Sequence, residues 1–595
     1  MSILNEVLSG AHEDYSAGRR LESLPAETIG ESAEIIAVYH AGDSMRLWQS
    51  CYRPAEEVHA EHVWILAGEK SVHLRAEGAG GICVSGKDRS VECGGPVSLR
   101  EFRGYPDEDV LGNHFGAEIG NFSLTKTLAA FYWHTLIPCV IEGKNEDYPD
   151  GYVLSTLAQS VYAGTYPDVD HEFQIKGRIA CGDQFDLQLI RRMIELQLKL
   201  MEEDPVKLWR DPCALQPNGN REYHVRRNSG DGKTNADMFL ITGNVEVLES
   251  VWLLTARTGD LGWLGRQIEK LEGAASLTEL CMDPMGRLWS DVFYEDQIIK
   301  DGMECMSACL AAHSFHLLAE LENELGRIEK AQKYSGLEKT LAEMLRRPVP
   351  YGFWDEKNRH FIDWLDRDGA VHDHLHLLAN CLPVVFHYCS SEQEECCRKL
   401  IQQEFDEFQR FPTFLSPRVG DYTPSEIGVP YDLCAAGRYW CWDAAYWAAL
   451  GRPDVIVSQL EKVAGQAEAD HYEMGERYDM NYIYYQDDKN WHGAERYYEY
   501  PCVFWWVTVR ELGGIRPSLH HDLQWVPQKT GGLTIELQSW NVRCHTEKDQ
   551  LSVRNLSDSR ELDVEIDPSH FCAGGKTVTL RLRPGEEKIL TEKDF

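Results

Sequence analysis

Two acidic clusters in the sequence have the composition of sugar chemistry. The segment DPMGRLWSDVFYEDQIIKDG sets Asp291, Glu295 and Asp296 beside Trp289 and Tyr294, and HYEMGERYDMNYIYYQDDKNWHGAERYYEYPCVFWW holds Glu473, Glu476, Glu495 and Glu499 among Tyr and Trp. A pyranose offers apolar C–H faces for stacking and hydroxyls for carboxylates, and a carboxyl near apolar rings has its pKa raised toward general-acid duty. One acid and one base from separate segments are what glycoside hydrolysis uses. Between the clusters, AAGRYWCWDAAYWAAL brings Trp440, Trp442, Asp443 and Trp447 to a helix entrance, with Trp442 and Asp443 expected to line a pocket. DGKTNADMFLITGN puts Asn235 and Asp237 at a similar position. The plainer readings are helix capping by Asn235, Asp296 or Asp301 and aromatic packing with surface carboxylates.

Other constellations carry less. Trp354 in YGFWDEKNRHFIDWLDRDG precedes a hairpin and is expected to wall the same pocket, with core packing as the alternative. His372, His374 and His376 in HDHLH would place three imidazoles on one strand face, but the segment opens an amphipathic helix and shows no fourth ligand. Neither a metal nor another cofactor is therefore expected. No Gly-rich phosphate loop occurs.

The elements that must position these residues are legible in the hydrophobic period. From about Glu34 to Arg103 short alternating runs such as EIIAVYHAG and EHVWILAG are broken by Gly, Pro and charged turns, which is strand punctuation; a second such region begins near His521. Between Gly182 and Gly514 the period is helical, as in FDLQLIRRMIELQLKLM and ECMSACLAAHSFHLLAELENELG. Gly259, Gly326, Gly451 and Gly513 each follow an apolar helix where a left-handed residue would stop it. One interval between them is about double the others, and a break at Tyr388-Cys389-Ser390 fills it, while Asp204-Pro205 supplies a further turn upstream. Six turns joining apolar to more polar helices predict an (α/α)6 toroid, because a closed ring buries every apolar stripe. The long return connections, about 211–236, 283–302, 348–371, 404–437 and 471–500, then share one end of the ring, and they hold the acidic clusters. The expected organisation is multidomain and mainly α: an N-terminal β-sandwich-like domain with linker over 1–165, the barrel over 166–516, and a small C-terminal β domain over 517–595.

At these residues a family resemblance becomes specific. WCWDAAYW, GERYDMN and AERYYEYPCVFWWVTVREL resemble, in that order, the Trp-Asp, Glu-Lys-Tyr-Asp and Glu-Tyr segments of trehalases. RLWSDVFYEDQIIKDGMECMSACL resembles the Trp-x-Asp and Asp-Gly segments of the glucosidase domain of glycogen debranching enzymes. Together with the processing α-glucosidases these are inverting exo-α-glycosidases on an (α/α)6 barrel. The resemblance, over roughly 230–515, implies Asp291 as general acid and Glu476 as general base, with Glu295 and Glu473 as competitors. Asp237, Asp443, Glu495 and Glu499 would hold hydroxyls, and Trp289 and Trp442 would be platforms. An inverting pair should stand about 6.5–9.5 Å apart, to admit a water. The Gly-rich run preceding the Glu-Tyr segment of trehalases is replaced by NWHGAERYY, which argues against trehalose itself as substrate.

Composition sets the outer bounds. With 59 basic and 96 acidic residues the net charge is −37, a field that disfavours nucleic acid and anionic membrane surfaces as partners. The N-terminus lacks a basic flank and an apolar run, and the 18 cysteines include no C-x-x-C pair, so reduced thiols in a cytoplasmic protein are expected. The expected partner is a small oligosaccharide or glycoside. The alternatives are a disaccharide phosphorylase or sugar epimerase on the same toroid, and a non-catalytic oligosaccharide-binding protein.

Overall fold

The structure, a computed structural model, describes residues 3–41, 44–49, 57–68, 70–141, 152–153, 166–167, 170–182, 184–212, 214–215, 221–223, 241–290, 298, 300, 302–417, 422–423, 426, 434–479 and 496–595. The fold is multidomain, with a β-rich N-terminal region. There a six-stranded sheet faces a four-stranded one. The alternating strand pattern buries Ile35, Val63, Ile65, Val72, Leu74 and Leu99 between the two, under the short helix α1 (Ile3–Ser9). The opposite face of the larger sheet points Ile36, Val38 and Trp64 toward α2 (Thr125–Phe131) and its π-helical extension Tyr132–Leu136, which belong to the main core. This helix was not foreseen in the stretch read as β domain and linker. Strand Gly116–Ile119 pairs with Ile535–Ser539, so the N-terminal part contributes to the C-terminal sheet.

The helices alternate in burial. α3 (Asp170–Cys181), α5 (Thr242–Thr258), α7 (Cys305–Glu324), α9 (Leu377–Val385), α11 (Gly437–Ala449) and α13 (Glu499–Trp506) are buried almost all round. α4 (Gln184–Glu202), α6 (Leu261–Leu280), α8 (Ile328–Leu345), α10 (Ser391–Gln403) and α12 (Pro453–Ala469) bury one stripe each, as α10 does with Gln393, Cys397 and Ile401. Each inner helix packs against the next, α3 on α5, α5 on α7, and so on to α13, which returns to α3. The cycle is therefore closed among the described residues. Closure depends on a close approach: a Cβ on Gly177 of α3 would lie 2.6 Å from the Cα of Cys502 in α13.

Most predicted turns are present. Gly259 caps α5 in the left-handed region, and Gly326 and Gly451 also have positive φ. Asp260 accepts from Trp263 N to start α6, and a Ser390–Gln393 capping box starts α10. Two expectations are corrected. The first tight turn is at Gly182 (φ +74), between α3 and α4, and Asp204-Pro205 opens a return connection instead. The amphipathic helix that pointed to a turn after it is the outer member of its pair, so the turn precedes it. Gly513 is right-handed (φ −74): the chain does not fold back into an outer helix there but leaves through Gly514 (φ +74) to strand Ile515–Arg516. The outer layer beside α13 is supplied by α2, far upstream.

Candidate active site

Short turns between the first five inner helices and their outer partners put the long return connections at the N-terminal end of the inner helices, where Glu476 and Glu499 lie. Ala435–Ala436, leading into α11, pair antiparallel with Arg477–Tyr478. This ladder fixes Glu476 beside the start of α11. Glu476 Oε1 lies 3.2 Å from Arg477 Nη2 and 3.7 Å from Arg438 Nη2, and its side chain retains 19% exposure. Arg438, in the first turn of α11, donates from Nε to Glu499 Oε1 at 2.7 Å, and its backbone N–H donates to Glu499 Oε2 at 3.1 Å. Glu499 is the fully buried first residue of α13. A carboxylate that takes both a guanidinium and a backbone N–H ties two inner helices together at their positive ends. Gly437 permits this, since a Cβ there would lie 2.7 Å from Tyr500 N. Glu499 is thus spent within the protein rather than offered to a ligand.

One turn further into α11, Trp442 meets Phe173 of α3 edge to face at 5.7 Å, and the Lys176 ammonium sits 5.2 Å from its ring. Lys176 pairs with Glu172 and, at 3.3 Å, with Glu249. Burial drives Glu172 well above the ordinary carboxylate range, whereas at Glu249 the adjacent ammonium overcomes burial and holds the pKa down to about 2. Lys176, with Glu172 and the partly exposed Glu249, therefore lies against the indole of Trp442.

Asp443 points elsewhere. Its Oδ2 accepts from Thr413 and Gln459, both at 2.8 Å, and its Oδ1 accepts from Trp447 Nε1 at 2.9 Å. Burial pushes its pKa up to about 6 against those three hydrogen bonds. It joins α11 to α12 and to the preceding connection, which corrects the expectation that it holds substrate hydroxyls. Trp440 is likewise core, donating to Gln459 Oε1. Trp354 is also buried, edge to face with Phe361 at 5.1 Å inside its hairpin, so it packs rather than walls a pocket.

Trp289 lines a cavity of about 400 Å³ with Cys281, Met282, Asp283, Gly302 and Arg367. Next to it Ser290 and Gly302 exchange backbone hydrogen bonds of 3.0 and 3.2 Å, just ahead of α7. Only glycine suits position 302, where φ is +103 and a Cβ would lie 2.3 Å from Leu365 O. Glu473, the competing base, turns toward His134 (3.6 Å) and Arg496 (3.5 Å). Asp237, Asp291, Glu295, Asp296 and Glu495 lie outside the described residues. Sequence reasoning missed Arg438 and Lys176; an Arg directly after Gly at a helix entrance, in AAGRYW, was the available signal for the first.

No family model matches the sequence, and no curated protein does. Among solved structures the chain is similar to a GH78 family rhamnosidase of Bacillus sp. GL1, at 12% identity over 90% of this chain and 49% of that one, TM-score 0.49. It is similar to the α-L-rhamnosidase of Dictyoglumus thermophilum at 11% identity, over 96% of this chain and 63% of that one, TM-score 0.49. A glycosidase solved in complex with glucose shares 14% identity over 65% of this chain and 97% of its own, TM-score 0.44. The chain spans less than two thirds of the length of either rhamnosidase.

Proposed function

We propose that this chain is an inverting exo-α-glycosidase, α-glucosidase-like, acting on small oligosaccharides or glycosides, built on an (α/α)6 toroid between β modules. Asp291 protonates the glycosidic oxygen, and Glu476 takes a proton from a water that attacks the anomeric carbon from the opposite face. Trp289 provides apolar surface for the sugar, Trp442 being buried against Phe173, and Asp237 and Glu495 bind its hydroxyls. The observation that carries this reading is the setting of Glu476: a partly exposed carboxylate at the N-terminal end of the inner helices, oriented by Arg438 and Arg477. The Ser290–Gly302 bridge ahead of α7 supports it, because the residue that follows Ser290 in the sequence is Asp291.

The test is a panel of α-linked glucosides, with α-L-rhamnosides alongside, incubated with and without inorganic phosphate. Release of free sugar independent of phosphate is expected. An absolute requirement for phosphate, or binding without any turnover across the panel, would contradict hydrolysis.

A further inference from the structure

Two of the HDHLH imidazoles meet a carboxylate that the local sequence does not contain. His372 Nδ1 lies 2.6 Å and His374 Nε2 lies 3.0 Å from the same oxygen, Oε1 of Glu426, in the following return connection. All three ligand atoms fall within 4.8 Å of one another. The second carboxylate oxygen is occupied, accepting from the Thr423 backbone N–H at 2.6 Å and its hydroxyl at 2.7 Å, so Oε1 is aimed at the imidazoles. Trp364 stacks on His372 at 4.2 Å and Tyr422 on His374 at 3.9 Å, which fixes both ring planes.

The decisive feature is on the far side of His372. Its Nε2 lies 3.2 Å from Asp366 Oδ2, so this imidazole stands between two carboxylates. A neutral imidazole has one N–H and one lone pair and can donate to only one of them. The other contact would then set a lone pair against a carboxylate oxygen, a conflict that either protonation of the ring or a bound cation removes. A cation between Nδ1, His374 Nε2 and Glu426 Oε1 removes the conflict: the Nδ1 lone pair ligates the ion, and Nε2–H donates to Asp366. That is the carboxylate–histidine–metal relay by which metal sites orient their imidazoles.

We propose that His372, His374 and Glu426 bind one divalent transition-metal ion of the zinc class, with Asp366 and Thr423 as positioning residues. Two nitrogens and one oxygen suit Zn²⁺ at bond lengths of about 2.0–2.2 Å and leave a fourth position for water. The ion staples the connection before α9 to the one before α11. The other triad of potential ligands among the described residues, Asp107, Glu108 and His114, has a different balance, because Arg100 already pairs with Glu108.

The experiment uses the full chain, stripped with a chelator, dialysed, and loaded with Zn²⁺ or Co²⁺. One equivalent of zinc per chain is expected by elemental analysis. Glu426→Gln should bind at least about tenfold more weakly, and Asp366→Asn about 10–100-fold more weakly, with unchanged far-UV circular dichroism. His374→Gln serves as a second ligand variant should Glu426→Gln fail to fold. The Co²⁺ form of the wild type should show weak visible d–d bands with no thiolate charge-transfer band, a reading that needs no variant. Zinc uptake by the wild type no greater than that of Glu426→Gln would overturn the proposal and make His372 an imidazolium between two carboxylates. A thiolate band would overturn it by moving the ion to the cysteines.

Discussion

Arg438 Nη2 stands 3.7 Å from Glu476 Oε1 because the same guanidinium is anchored on buried Glu499, 2.7 Å from its Nε. The position of the proposed base therefore depends on a buried ion pair between the first turns of two inner helices.

Replacing Arg438 separates the two roles of that pair. Arg438→Ala leaves Glu499 buried without its cation and should cost about 3–5 kcal/mol, read by urea denaturation. Arg438→Lys keeps a charge but not the fixed fork. It should fold, with kcat lowered about 10–100-fold and KM little changed. Equal losses of stability in both variants would remove the distinction.

Asp443→Asn should affect stability and leave KM alone. Its carboxylate accepts three hydrogen bonds, and an amide nitrogen would face donors, at a cost of about 1–3 kcal/mol. A pH signature accompanies it. The folded pKa of about 6 is above the unfolded value, so the folded state binds more protons between about pH 4 and 6. The contribution of Asp443 is full below about pH 4 and is lost as pH rises through 6. The stability gap between wild type and Asp443→Asn should narrow by about 2–3 kcal/mol over that window; a constant gap would contradict the burial argument.

Gly177→Ala tests closure of the helix ring. The added methyl would lie 2.6 Å from the Cys502 Cα, and backbone cannot yield as a flexible side chain does. A loss of about 1–3 kcal/mol is expected by thermal or urea unfolding. Gly336→Ala, in exposed helix α8 with nothing within 4 Å of the new methyl, should instead stabilise by about 0.5–1 kcal/mol.

The outer turns were legible in the sequence because glycine at a left-handed C′ position is a local signal, and Gly259, Gly326 and Gly451 all carry it. The first inner helix was not. DHEFQIKGRIAC looks polar, yet it is buried because Lys176 pairs with Glu172 and Glu249, and Arg178 with Asp186. Glu249 and Asp186 come from other helices, so no apolar period marks this one. The Trp-Asp motif was read as one unit, but adjacent residues on a helix diverge by about 100°: Trp442 faces the ring interior while Asp443 faces α12. His372 and His374 stood out in the sequence, and their carboxylate did not, since Glu426 comes from a different connection.

The proposed chemistry is tested most directly by proton NMR of the first anomer released from an α-linked substrate, by the wild type and by Glu476→Gln. The β-anomer should appear first, and Glu476→Gln should slow its release by about 10²–10⁴-fold while still binding the substrate. Initial release of the α-anomer, or wild-type turnover by Glu476→Gln, would contradict an inverting mechanism with Glu476 as its base.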